Sequence, residues 1–225
     1  MTPELRRVGN SQSPVVVIDG ALGDVAKVVD IAAALAPFPP IPDSYYPGLR
    51  RIIDADDIAA HDYATRLLET VAPFIGGAFE IDRFDWVEAS FSMVTAAPET
   101  LSPAQRAPHF DSVDARHLAI LHYLSDTPGT GTAFYRQRST EIEVVTPANV
   151  DRFVTAAKRE SAALAGYTAG SNAAFEQIGA VEARADRVLI YSGSLLHSGI
   201  IPADMDRSAD PRRGRLTANL FVQGH

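Results

Sequence analysis

The hydrophobic pattern of the chain changes near residue 81, and this change limits the folds that the chain can adopt. Before it, a short strand is predicted over residues 13–19, and apolar residues recur at helical spacing over 23–36 and 54–74. Gly76 and Gly77 are the predicted end of the second helix. Helices followed by many short strands are typical of helices packed on the outside of a β-barrel or jelly roll.

Beyond residue 81 the sequence predicts short β segments with one helix between them, which runs from residue 149 to about 166. The β segments are predicted over residues 84–95, 117–124, 132–136, 181–191 and 216–222. The chain has 225 residues, no internal repeat and no linker, so a single domain over 1–225 is expected. Helices within about 20–76 would pack on a barrel formed by about 81–225, which is a mainly β fold with flanking helices.

Composition excludes several classes of function. The chain has no cysteine, which excludes a disulfide scaffold, a thiolate zinc site and a cysteine nucleophile, so any metal must be held by nitrogen and oxygen. The formal net charge of −8 argues against a nucleic-acid partner, since such proteins neutralise phosphates with Lys and Arg. No stretch approaches the ~20 apolar residues of a membrane span, and the apolar run over 15–18 is too short for an export signal. A cytoplasmic protein without a membrane partner is therefore expected.

Three side chains that suit a metal are spread over the β part of the chain. His109 and Asp111 are two residues apart, so on one strand both would project to the same face. His197 follows the apolar, strand-like segment 187–191. Two imidazoles and one carboxylate on one face of an ion are the ligand set of non-haem Fe(II) oxygenases. The sequence therefore predicts a metal site formed by His109, Asp111 and His197.

This order of residues resembles the Fe(II)/2-oxoglutarate-dependent oxygenase superfamily, whose pattern is HxD, a distal histidine and a basic residue on the following strand. Arg215 occupies the last position, and the segments 131–135 (GTAFY) and 195–199 (LLHSG) are similar to the prolyl-hydroxylase-like branch. The resemblance covers residues 84–222 and places the chain in a poorly characterised bacterial branch. It implies a double-stranded β-helix of the jelly-roll or cupin-like type, with Fe(II) and 2-oxoglutarate as cofactors. It also implies hydroxylation of a peptide, an amino acid or a small metabolite.

The same resemblance gives Arg215 the distal carboxylate of 2-oxoglutarate as its partner, because a guanidinium matches a carboxylate with two parallel hydrogen bonds. Arg215 opens the final strand and shares a face with Thr217 and Asn219. The family's basic residue usually follows the histidine more closely, so residues 200–214 are expected to contain an inserted loop, and Arg207 is the reserve candidate. Tyr123 is a further candidate for the cosubstrate site, although a role in the core is favoured for it.

Other histidines do not complete a better ligand set. His117 and His122 are an odd number of residues apart and would face opposite sides of a strand, and the apolar neighbours of His122 are typical of a hydrogen-bonded core histidine. Two alternative functions stay open, namely a non-catalytic cupin-like protein that binds a metal or a small ligand, and a zinc hydrolase. The helix over 149–166 and the loop over 202–214 are expected to border the entrance. The oligomeric state is open, and a homodimer is compatible with the sequence.

Overall fold

The computed structural model describes residues 1–41 and 45–225, and this part of the chain contains ten strands and four α-helices. The helices are α1 (Val25–Ala34), α2 (Ile58–Phe79), α3 (Pro103–Arg106) and α4 (Val150–Ser161). The strands are β1 (Thr2–Val8), β2 (Ser13–Asp19), β3 (Gly48–Ile52), β4 (Phe84–Val94), β5 (His117–Tyr123), β6 (Gly131–Gln137), β7 (Phe175–Glu182), β8 (Arg187–Ser192), β9 (His197–Ile200) and β10 (Leu216–Gly224). None of the helices in the two described ranges combines the length and the apolar character needed to span a lipid bilayer.

Two antiparallel sheets form the body of the fold. The large sheet has the order β1-β2-β8-β5-β10-β4-β3, and the small sheet has the order β7-β6-β9. One face of the large sheet packs on α1 and α2, where Ile120 of β5 shares a buried core with Leu67 of α2. The opposite face packs on the small sheet, where Leu189 of β8 shares a second core with Phe134 of β6. The chain is therefore mainly β with flanking helices, as the sequence predicts.

Helix α2 is longer than the sequence predicts. Its buried residues keep helical spacing as far as Ile75, and Phe79 still packs against the same core. The predicted stop at Gly76 and Gly77 is wrong, because burial of the apolar stripe outweighs the ~1 kcal/mol cost of a helical glycine. The helix ends at Glu80, which has a left-handed backbone with φ of +56° and donates its N–H to the carbonyl oxygen of Gly76.

The sequence pattern does not predict strands β1, β3 and β9. The first two lie at the edges of the large sheet. Strand β1 is largely exposed and every residue of β3 is partly buried, so neither shows the alternation of buried apolar residues by which strands are predicted. The third has only four residues. The prediction of one continuous strand over 181–191 is wrong, because a turn that includes Asp186, with φ of +62°, separates β7 from β8.

A buried polar chain connects helix α2 to the large sheet. The hydroxyl of Tyr63 lies 2.8 Å from Nδ1 of His122, and Nε2 of His122 lies 3.2 Å from Oδ1 of Asp186. Asp186 also accepts hydrogen bonds from the backbone N–H groups of Leu22 and Gly23. Burial by itself would raise the pKa of Asp186, but these hydrogen bonds together lower it to about 2. His122 is therefore a hydrogen-bonded core histidine, as predicted.

We expect Asp186→Asn to lower the free energy of unfolding at pH 7 by about 2 kcal/mol, because the pKa of this carboxyl is about 2 in the fold against an ordinary value of 3.8. The stabilisation is fully present above pH 3.8 and is lost as the pH falls through about 2. Urea unfolding, followed by circular dichroism, measures the difference in the free energy of unfolding between the wild type and Asp186→Asn. This difference should be smaller at about pH 3 than at pH 7.

The matched control for this variant is Asp85→Asn, since Asp85 is exposed and pairs with His225 on the surface. Its free energy of unfolding should match that of the wild type, because exposed ion pairs contribute little. An Asp186→Asn protein as stable as the wild type at pH 7 would refute the role given to the buried chain.

Candidate metal centre

The HxD segment lies against the strand that carries the distal histidine. The N–H of His109 donates to the carbonyl oxygen of His197, and the N–H of His197 donates to that of His109, each at 2.9 Å. Asp111 donates its N–H to the carbonyl oxygen of Gly193 at 2.7 Å. The regular strand predicted for residues 109–111 is wrong, because His109 forms an isolated bridge and Asp111 bonds to the turn before β9. These backbone contacts still bring the two side chains to His197.

The candidate donor atoms of His109, Asp111 and His197 all lie within 4.8 Å of one another. Nε2 of His109 lies 3.7 Å from Oδ1 of Asp111, and Nε2 of His197 lies 3.6 Å from Oδ2 of Asp111. Both distances exceed those of hydrogen bonds, and bonds of about 2.1 Å to a shared ion would place neighbouring ligand atoms about 3 Å apart. The three side chains therefore converge with space for one ion between them.

His197 is held in one orientation. Its Nδ1 lies 2.8 Å from the carbonyl oxygen of Leu195, so Nδ1 carries the proton and Nε2 keeps a free lone pair. The imidazole also packs edge-on against the ring of Tyr191, with centroids 4.8 Å apart. A histidine whose second nitrogen donates to a backbone carbonyl is typical of metal ligands, because that hydrogen bond sets the tautomer and the ring orientation.

Both imidazoles have a lowered pKa and are therefore neutral at pH 7. Desolvation, together with the nearby His197, lowers the pKa of His109 to about 4, and desolvation lowers the pKa of His197 to about 4. His109 nevertheless faces open space, since 42% of its side chain is accessible. Burial raises the pKa of the Asp111 carboxyl, and a bound cation would oppose this shift because positive charge favours the carboxylate. Neutral imidazoles have the free lone pairs that a metal ion requires.

The three side chains line a cavity of about 1100 Å³. The inner face of the large sheet forms one part of its wall, with His117, Thr217 and Asn219 among the residues that line it. Helix α4 forms another part, through Phe153 and Val154. Ligand pockets commonly measure about 300–1,000 Å³, so this cavity is large enough for more than one small molecule.

Arg215 places a buried positive charge in this cavity. The residue is 5% exposed, and its Nη2 donates to the carbonyl oxygen of Gly131 at 3.3 Å. The guanidinium carbon lies 5.8 Å from the ring centre of Tyr123. The buried Nε has no hydrogen-bond partner among the residues that the structure describes. A buried guanidinium with an unsatisfied N–H is costly unless an anion completes it, so this part of the cavity suits a carboxylate.

The other candidates for cosubstrate binding are not among the described residues that line the cavity. Tyr123 belongs to the core between the two sheets, directly behind Arg215, and its hydroxyl lies 2.7 Å from Oγ1 of Thr132. Arg207 donates to backbone carbonyls of its own loop, including that of Ala203 at 2.8 Å. It is not among the described residues that line the cavity. In the described part of the chain Arg215, and not Arg207, therefore lines the cavity that contains His109, Asp111 and His197.

The walls of the cavity differ in part from those expected. Helix α4 borders the cavity as predicted. Within the described chain no residue of the loop 202–214 lines the cavity. That loop folds on itself, for example through the hydrogen bond from the N–H of Gly214 to the carbonyl oxygen of Asp210. Arg50 of β3 and Glu88 of β4 line the cavity instead. Sequence reasoning missed this wall because it missed β3. The polar residues at alternate positions 88, 90 and 92, between apolar ones, were the available signal.

The fold is similar to those of solved 2-oxoglutarate enzymes. The non-haem α-ketoglutarate-dependent epimerase SnoN from nogalamycin biosynthesis aligns with a TM-score of 0.55 at 14% identity, covering 94% of this chain and 79% of that chain. The viral collagen prolyl hydroxylase vCPH from Paramecium Bursaria Chlorella virus-1 aligns with a TM-score of 0.52 at 10% identity, covering 94% and 96%. HygX from Streptomyces hygroscopicus aligns with a TM-score of 0.52 at 16% identity, covering 94% and 83%. These similarities confirm the predicted double-stranded β-helix.

Fold and site together define a double-stranded β-helix protein with two histidines and one carboxylate at the wall of its cavity. The chain belongs to the family described as a family of unknown function (DUF6445), whose profile matches residues 1–222. A search of curated protein sequences finds no match to it.

We expect Gly193→Ala to weaken metal binding by about tenfold or more, the range typical of changes beside metal ligands. A Cβ at position 193 would lie 3.0 Å from Cδ2 of His117 and 3.1 Å from Cβ of Asp111, so the carboxylate must move. Calorimetric titration with Ni²⁺ measures the affinity. Gly77→Ala in helix α2 is the matched control, since no described residue beyond its own helical turn lies within 4 Å of a Cβ at that position. Wild-type Ni²⁺ affinity in a folded Gly193→Ala protein would contradict the expectation.

Proposed function

We propose that the protein is a non-haem Fe(II) oxygenase that uses 2-oxoglutarate as its cosubstrate. The observation that carries the proposal is the convergence of His109, Asp111 and His197 in the same cavity as the buried guanidinium of Arg215. Two imidazoles and one carboxylate are the ligand set of this enzyme class, and they leave further positions on the ion open. Arg215 supplies what a metal site alone lacks, namely a partner for a carboxylate.

The similar structures support this choice of cofactor. One structure of SnoN contains Fe³⁺ and α-ketoglutarate, one of HygX contains nickel and 2-oxoglutarate, and one of vCPH is a 2-oxoglutarate complex. These ligands were found in SnoN, HygX and vCPH, and they are carried over to this chain only as a proposal. This chain shares their fold and has a His-Asp-His cluster of its own, so we extend the cofactor to it. Membership of a prolyl-hydroxylase-like branch is part of the same proposal.

The residues present fit an Fe(II) ion. The donor atoms of His109, Asp111 and His197 are not hydrogen-bonded to one another, both imidazoles are neutral, and the carboxylate supplies negative charge. When bound, iron and 2-oxoglutarate supply oxidation of a substrate C–H bond, coupled to conversion of dioxygen and 2-oxoglutarate into succinate and carbon dioxide. The chain orients the ligands, for example through the hydrogen bond from His197 to Leu195.

Arg215 is the group that we assign to the distal carboxylate of the cosubstrate. The ring of Tyr123 supports the guanidinium from behind, and the carbonyl oxygen of Gly131 holds Nη2. The unpaired Nε then remains for an anion in the cavity. Thr217, on the same face of β10, lines the cavity and adds a hydroxyl group beside it. A carboxylate here would form charge-assisted hydrogen bonds, which are about twice as strong as neutral ones.

Two other functions use the same geometry. A non-catalytic cupin-like protein would keep the metal or a small ligand without turnover, and a zinc hydrolase would use the same three ligands. Neither gives a function to a buried Arg215 in the metal cavity, so the oxygenase is favoured. We propose a peptide, an amino acid or a small metabolite as the substrate.

Anaerobic addition of Fe(II) and 2-oxoglutarate tests the proposal without a known substrate. We expect the weak visible charge-transfer band of 2-oxoglutarate chelated to Fe(II), and we expect His197→Ala to abolish it because a ligand is lost. A wild-type protein that binds Fe(II) but gives no band with 2-oxoglutarate would favour the binding protein or the hydrolase over the oxygenase.

We expect Arg215→Gln to weaken 2-oxoglutarate binding by about tenfold or more, since hydrogen bonds to charged groups contribute about 1.5–3 kcal/mol. Its Ni²⁺ affinity should stay near that of the wild type, because Arg215 is not a ligand. Arg207→Gln is the control, as Arg207 bonds to its own loop and should leave both affinities unchanged. Titration of the Ni²⁺-loaded proteins with 2-oxoglutarate measures this. Equal losses in the two variants would argue against Arg215 as the carboxylate partner.

A further inference from the structure

We propose that Arg50 binds a carboxylate of the substrate, and that the substrate is a carboxylate with an apolar body. The inference rests on the proposed function, because it concerns the second molecule that the cavity can hold. Arg50 lies on the edge strand β3, opposite Ser92 of β4, and lines the cavity that contains the metal cluster.

Three contacts hold the guanidinium of Arg50 in place. Its Nε donates to Oγ of Ser90 at 2.8 Å, its Nη2 donates to the carboxylate of Glu88, and its central carbon lies 5.8 Å from the ring centre of Phe221. No residue in the described part of the chain accepts a hydrogen bond from Nη1. The side chain is 20% exposed. A pre-oriented guanidinium thus keeps one group of N–H donors for a ligand in the cavity.

Stacked rings connect Arg50 to the metal cluster. Phe221 lies against Arg50 and also against His117, with ring centroids of Phe221 and His117 5.4 Å apart and an interplanar angle of 21°. His117 in turn lies beside Asp111, since a Cβ at Gly193 would be 3.0 Å from Cδ2 of His117 and 3.1 Å from Cβ of Asp111. A molecule bound to Arg50 therefore occupies the same side of the large sheet as the metal ligands.

An apolar wall lies next to the metal ligands. Phe153 and Val154 of helix α4 line the cavity, and Phe153 packs edge-on against Phe110 with ring centroids 5.7 Å apart. Phe110 also lines the cavity, so an apolar group packed on these two rings lies in the same cavity as the metal ligands. One polar anchor and one apolar wall in a single cavity suit a carboxylate with an apolar body.

Arg51 provides a matched control on the same strand. Its side chain points to the other face of β3, where it pairs with Asp54 and Asp57. Arg51→Gln therefore removes the same charge from the same strand without changing the cavity. Arg50→Lys is a second variant, because it keeps the positive charge but loses the fixed planar shape of the guanidinium.

The test uses N-acetyl-L-phenylalanine and N-acetyl-L-leucine, each compared with its neutral carboxamide. Calorimetry on Ni²⁺-loaded protein with saturating 2-oxoglutarate measures binding to the wild type and the variants, and circular dichroism checks that each is folded. We expect at least one acid to bind the wild type about tenfold or more tightly than its amide, as hydrogen bonds to charged groups allow. Arg50→Gln should reduce this preference below about twofold, Arg50→Lys should keep part of it, and Arg51→Gln should keep all of it.

The outcomes separate the two proposals. If neither acid binds the wild type more tightly than its amide, or if Arg50→Gln keeps the preference, the inference about Arg50 is wrong whether or not 2-oxoglutarate binds. If acids are preferred through Arg50 but 2-oxoglutarate does not bind the wild type, the proposed oxygenase is wrong and the carboxylate site stands. Loss of the preference in Arg51→Gln as well would also overturn the inference, because the effect would then come from β3 as a whole.

Discussion

The backbone hydrogen bonds between His109 and His197 join two segments far apart in the sequence, and the whole site depends on them. They bring the HxD segment to strand β9 of the small sheet, and the bond from Asp111 to Gly193 adds a second point of attachment. Asp111 and His117 approach Gly193 so closely that a Cβ at this position would push against both of them. The ligand geometry is therefore a product of long-range pairing, and it forms only when both sheets are in place.

The large sheet separates packing from chemistry through the alternation of its side chains. On β10, Leu216 and Ala218 point to the core beneath helices α1 and α2, whereas Thr217 and Asn219 point into the cavity. Strand β5 repeats this division, with the His122 chain on the helix side and His117 on the cavity side. Apolar burial stabilises one face of the sheet, so the other face can carry polar groups. The small sheet and helix α4 enclose this second face.

The same alternation explains which parts of the site could be predicted from the sequence. The faces of Arg215 and His122 follow from period-2 counting on well-buried strands, and both agree with the structure. Three other expectations do not agree with the structure, namely a regular strand at 109–111, the end of α2 at Gly76 and an entrance formed by 202–214. The structure has instead an isolated bridge, a longer helix and a loop folded on itself, and each of these is set by tertiary contacts. Arg50 was missed since an edge strand lacks the buried alternation that counting requires.

The two arginines of the cavity differ in burial, and the difference matches the parts that we propose for them. Arg215 is 5% exposed and has a buried, unsatisfied Nε, so it suits a ligand that is enclosed on all sides. The side chain of Arg50 is 20% exposed and already pairs with Glu88, which lowers the cost of leaving its site empty. A cosubstrate common to every turnover can occupy the deeper position. The substrate must enter the cavity and leave it as the product, and the shallower position at Arg50 suits this exchange. Arg50 stays paired with Glu88 when the ligand leaves, so no unpaired charge remains buried.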